Sequence, residues 1–116
     1  MNEDFFISFD EPEFACRYKK YGGVIFVTSL VELTHRVSIS LGSKGNYLHD
    51  YYYFRNKLLF YRSKNFVHKF ILVLMKILTM EIARRILMRK KLNGLLDGVV
   101  AGLSGVTGEV RFNSGY

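Results

Sequence analysis

The chain has 116 residues, a 49% apolar share and a formal net charge of +7. That suffices for one ordinary domain with a buried core and excludes a disordered polyelectrolyte. The single cysteine, Cys16, excludes an internal disulfide and a cysteine-built zinc site, and the acidic start Glu3-Asp4 is unlike the basic start of a secretory leader.

Phe5-Phe6-Ile7-Ser8-Phe9 predicts a short buried strand or turn. Asp10 then offers an N-cap, Pro12 fits a first turn, and Glu13 stands three residues after Asp10, as in a capping box. This helix should stop near Gly22-Gly23. Val24-Ile25-Phe26-Val27 predicts a buried strand, and the alternation over 31–36 predicts a second one ending near His35. Ser38 to Asn46 is a loop rich in Ser and Gly.

From Tyr47 to Tyr61 no breaker occurs, and Tyr47, Tyr51, Phe54 and Leu58 recur at helical spacing. Ser63-Lys64-Asn65 marks a break. Residues 66–91 predict the longest helix. Val67, Ile71, Leu74, Leu78 and Ile82 form an apolar stripe, and Lys69, Lys76, Arg84 and Lys91 line the opposite face at steps of seven, eight and seven. The longest apolar run there, Phe70 to Met75, is far short of the ~20 residues that span a bilayer, so the helix is expected to lie on a membrane without crossing it. Gly94, Gly98 and Gly102 share one helical face, which permits close approach, although a loosely packed terminal helix is the plainer expectation.

Charge is unevenly spread. Residues 1–13 carry five acids and no base, whereas residues 55–91 carry eleven Lys or Arg and only Glu81. Such a split suggests an acidic functional corner and a basic face toward an anionic partner. No nucleic-acid partner is expected, because the aromatics at 51–54 precede the charge run instead of interleaving it.

Three places could carry chemistry. Acids at a helix start, Asp10 and Glu11, are held ionised and could take a proton from a hydroxyl, although from spacing alone an ordinary capping box is the favoured reading. His35 and the loop with Ser38 and Ser40 could face a phosphate, or His35 could simply be a satisfied structural residue. Arg55-Asn56 follows Tyr51-Tyr52-Tyr53-Phe54, where aromatics could stack on a ring and Arg could grip phosphate, or the rings could face a core.

Taken in order, Glu3-Asp4-Phe5-Phe6, Asp10-Glu11-Pro12-Glu13, Arg17, Lys19-Lys20-Tyr21-Gly22, Val24-Ile25-Phe26-Val27, His35, Ser38-Ile39-Ser40-Leu41-Gly42 and Tyr52-Tyr53-Phe54-Arg55-Asn56 resemble the second half of bacterial family-2 glycosyltransferases, rhamnosyltransferase-like members above all. The match covers about residues 3–65 and, more loosely, the tail through Leu95-Leu96-Asp97-Gly98.

The resemblance implies an α/β fold, a partial GT-A (Rossmann-like) sandwich lacking its N-terminal nucleotide-binding half and followed by a helical tail. Residues 1–65 would be the acceptor-side portion of the catalytic domain and 66–116 a basic amphipathic tail. It implies an inverting sugar transferase of cell-surface polysaccharide synthesis, with a nucleotide sugar as donor and a glycan or lipid-linked acceptor. Glu11 would be the general base with Asp10 beside it, and His35, Ser38, Ser40 and Arg55 would face the donor diphosphate. A divalent Mg or Mn ion would belong to the complete enzyme, held by an Asp-x-Asp that this chain does not contain; no metal is expected on this chain alone. The expected product is a fragment, inactive without a separate N-terminal half, in the cytoplasm and peripheral at the inner face of the plasma membrane. A non-enzymatic peripheral membrane module is the alternative.

Overall fold

A computed structural model describes residues 3–6, 8–30, 32 and 47–110. Its regular elements run α1 (Asp10–Lys20), α2 (Tyr47–Ser63), α3 (Val67–Lys76), a π-helical turn (Ile77–Glu81), α4 (Ile82–Leu87) and α5 (Asn93–Ser104). The predicted α/β sandwich is therefore corrected: among the described residues every regular element is helical and none is a strand. The reason is visible at Val24–Val27. Among the described residues that stretch has no ladder partner, and Phe26 and Val27 are 86% and 98% exposed. A strand exists only when a neighbour satisfies its backbone, whatever its own side chains favour. Of the second predicted strand only Glu32 is described, and the loop from Ser38 to Asn46 lies outside the described residues.

α2 is the axis of the molecule. Its 17 residues contain no Gly, Pro or β-branched side chain, so nothing local opposes a helix. It is buried on nearly every side. Phe54 and Leu58 pack with Ile77, Leu95 and Val99, while Leu59 and Phe60 pack with Phe5. Tyr51 and Tyr52 pack with Ala101. Core residues from before and after residue 65 thus share one interior. The helix ends where Asn65 takes a left-handed φ of 54° and Phe66 N donates to Tyr61 O at 3.2 Å.

α5 lies flush on α2 through its glycines. A Cβ added at Gly94 or Gly98 would sit 2.5 Å from the carbonyl oxygen of Tyr47 or Tyr51, and one at Gly102 would sit 2.9 Å from that of Arg55. The three glycines and the three carbonyls both recur every fourth residue, so backbone meets backbone along the whole seam. The expected loose terminal helix is corrected to a tightly docked one.

The segment after α2 is also revised. In place of one regular helix over 66–91, the chain runs Val67–Leu87 with a π turn inside it. Thr79 Oγ1 donates to Met75 O at 2.8 Å within this irregular stretch. Phe70, Val73, Leu74, Ile77 and Ile82 face the core, whereas Val67, Ile71 and Leu78 of the predicted stripe are largely exposed. Among the described residues no helix is long and apolar enough to cross a membrane.

The predicted capping box at α1 does not form. Asp10 is already helical, Phe9 precedes it with a left-handed φ of 67°, and no side chain caps the helix. Packing outweighs capping here. The Phe9 ring lies 5.7 Å from Tyr53 and 5.9 Å from Phe60, and Glu13 is buried between Lys64 at 3.3 Å and Arg17 at 3.4 Å. α1 still stops as expected, before Gly22 at φ 82°.

Candidate functional site

Asp10 and Glu11 open α1, with Glu11 exposed and Asp10 half-buried. What fixes them is the stretch before them. Asn56, fully buried in α2, donates through Nδ2 to Phe6 O at 3.0 Å and Ser8 O at 2.7 Å. Its Oδ1 accepts from Arg55 Nε at 2.8 Å, and Arg55 Nη1 donates to Gly108 O at 2.7 Å. Gly108 N in turn donates to Asp4 O at 3.1 Å. A buried Arg-Asn pair thereby ties the aromatic lead-in, α2 and the segment after α5 into one knot.

Arg55 does not face solvent. It is fully buried, with its guanidinium 4.7 Å from the Tyr52 ring centroid and 5.7 Å from that of Tyr51. It holds backbone in place, and it would not meet a diphosphate without rearrangement. His35, Ser38 and Ser40 lie outside the described residues, so only Asp10, Glu11 and Arg55 can be located. Among the described residues no group of His, Cys, Asp or Glu is placed to hold a metal ion.

A second site was not foreseen. A cleft of about 410 Å³ opens between α2 and the α3–α4 helix. Lys57, Lys76, Arg84, Arg85 and Lys90 line it, against the carboxylates of Asp50 and Glu81. Both acids are already committed. Arg85 Nη1 donates to Asp50 Oδ2 at 2.6 Å and to Lys91 O at 3.1 Å, deep in the structure, with Phe54 beneath the guanidinium. Glu81 accepts from Arg84 Nη2 at 2.5 Å and Nε at 3.3 Å. The hydrogen bond from Arg84 is the main cause that holds the Glu81 carboxyl below its ordinary value, against the opposing effect of burial. The hydrogen bond to Asp50 does most to raise Arg85. Lys57 sits 5.3 Å from the Tyr53 ring centroid, and His49 stacks on the same ring at 6.2 Å with planes 7° apart.

The sequence carried a faint sign of this cleft. Asp50 is the only acid in α2 and Glu81 the only acid among eleven bases, and a lone acid among bases tends to be paired. No protein-family model, curated protein or solved structure matches the chain.

Proposed function

We propose that this chain serves as the acceptor-side portion of an inverting glycosyltransferase and works together with a donor-binding half. One observation carries this proposal. The stretches that bear the family resemblance are far apart in sequence, yet they meet at Arg55-Asn56, which braces the backbone immediately before Asp10 and Glu11. Bracing of that kind is what a general base needs, since a carboxylate must be held within hydrogen-bond reach of the hydroxyl it deprotonates. The exposed apolar side chains of Val24–Leu30 give a second polypeptide something to cover. The test is to co-express the chain with a donor-binding half and measure nucleotide-sugar turnover, with Glu11→Gln beside it. Turnover should appear only with both halves and fall at least about a hundredfold in the variant, within the usual range for a lost general base. Equal turnover by Glu11→Gln would remove the assigned base, and no turnover by the pair would remove the proposal.

A second role, compatible with the first, is attachment to an anionic membrane surface. It rests on the outer face of the α3–α4 helix, where Ile71, Leu72, Met75, Ile86 and Leu87 are exposed beside Lys69 and Arg89. Each surface cation adds about 1 kcal/mol of attraction to an acidic leaflet. Binding to vesicles rich in phosphatidylserine should weaken with salt, and Leu72→Glu/Met75→Glu should reduce it at least tenfold while the fold persists. Unchanged binding by that exposed-site variant would eliminate this role.

A further inference from the structure

We propose that the cleft between α2 and the α3–α4 helix binds a phosphate monoester, with Lys57, Lys76 and Lys90 meeting the phosphoryl oxygens and the stacked Tyr53–His49 pair forming a wall against the organic group. This goes beyond sugar transfer and membrane attachment, and it would stand if both failed.

Charge is the first ground. The two carboxylates in the cleft are neutralised by Arg84 and Arg85, which leaves three lysines in surplus. The ammonium groups of Lys76 and Lys90 make no hydrogen bond or ion pair among the described residues, and that of Lys57 lies against the face of Tyr53. Lysine grips phosphate as a point charge, and a monoester carries close to −2 at neutral pH, which suits such a surplus.

Size and shape supply the second ground. About 410 Å³ falls within the ~300–1,000 Å³ typical of small-ligand sites, so the cleft has room for an ester and not only its phosphate. Tyr53 and His49 present a nearly parallel stack at its side. The third ground is the π turn. Single π turns occur frequently at functional sites, and this one turns Ile77 into the core while Lys76 and Glu81 border the cleft.

The ester could be soluble or a lipid headgroup, and two arms separate these sources. Glycerol 3-phosphate is titrated into the full chain by calorimetry, and flotation compares vesicles containing phosphatidic acid with vesicles matched in charge by phosphatidylglycerol. Saturable binding of glycerol 3-phosphate assigns a soluble ester; preference for phosphatidic acid over the matched vesicles assigns a lipid. In either arm Lys76→Glu/Lys90→Glu should weaken binding at least tenfold, and Lys76→Arg/Lys90→Arg should restore it to within about threefold. Both lysines are exposed, so thermal melts of the variants should match the parent. Absence of binding in both arms, or binding that survives the charge reversal, overturns the proposal.

Discussion

Replacing Gly98 with alanine puts the α2–α5 seam to the sharpest test. The added Cβ would lie 2.5 Å from Tyr51 O, 3.0 Å from Tyr51 Cα and 3.1 Å from the Tyr51 carbonyl carbon. Carbon–oxygen contacts settle near ~3.3 Å, so the two helices must part by about 0.8 Å. The obstacle is backbone, which has no rotamer to turn away. A gap of ~0.5–1 Å forfeits roughly a quarter to a half of each dispersion contact across it, and Leu58, Leu95 and Val99 lie in that interior. Forcing a methyl group into a filled interior costs ~1–3 kcal/mol, and the upper end applies here. Alanine recovers ~1 kcal/mol over glycine as a helix former. The net expectation is a loss of about 2 kcal/mol, read as a urea midpoint lower by roughly 1–2 M in circular dichroism. Val100→Ala, on the exposed side of the same helix, should stay within ~0.5 kcal/mol of the parent. If Gly98→Ala proved as stable as the parent, direct backbone contact between α2 and α5 would be wrong.

Asn56→Ala strips the carbonyls of Phe6 and Ser8 of a donor and Arg55 Nε of its acceptor, so it should cost ~2–4 kcal/mol and speed amide exchange over residues 3–9, as read by mass spectrometry. Asp50→Ala strands the buried Arg85 charge and should cost about 3 kcal/mol in denaturant melts, whereas Asp50→Leu/Arg85→Met should cost less than the single change. The Glu81 carboxyl is depressed in the folded chain, so its contribution is present above the ordinary value of 4.5 and fades as pH falls through the folded value. Glu81→Gln should therefore be less stable than the parent at pH 7, and the two melting temperatures should converge as pH falls through the folded value.

The helices were legible in proportion to how local their causes are. α2 and the end of α1 follow from an unbroken run and from Gly22-Gly23, and both are where the spacing put them. The strand expected at Val24–Val27 was not recoverable from its own residues, because an apolar run reads the same whether or not a partner is present to pair with it. Buried Asp50, Arg55, Asn56 and Arg85 were hidden because polar side chains normally mark an exposed face, and α2 has almost none. The glycine periodicity was visible, but its tightness depends on carbonyls some forty-seven residues away. Of the predicted site, Asp10 and Glu11 share one helix start, while the braces that hold it come from α2 and the tail and could be recognised only once the chain was folded.

The eight-residue step from Lys76 to Arg84 straddles the π turn, as does the step from Ile77 to Arg85. Seven residues bring an ordinary α-helix back to nearly the same side, so an eighth should swing Arg85 ~100° away from Asp50. The wide turn takes up that surplus, and Arg85 still reaches its carboxylate. Shortening the chain by one residue therefore has opposite outcomes a few positions apart. Removal inside Ile77–Glu81 would leave a plain helix with its downstream side chains aimed as before, while removal just before Ile77 would turn the interior outward.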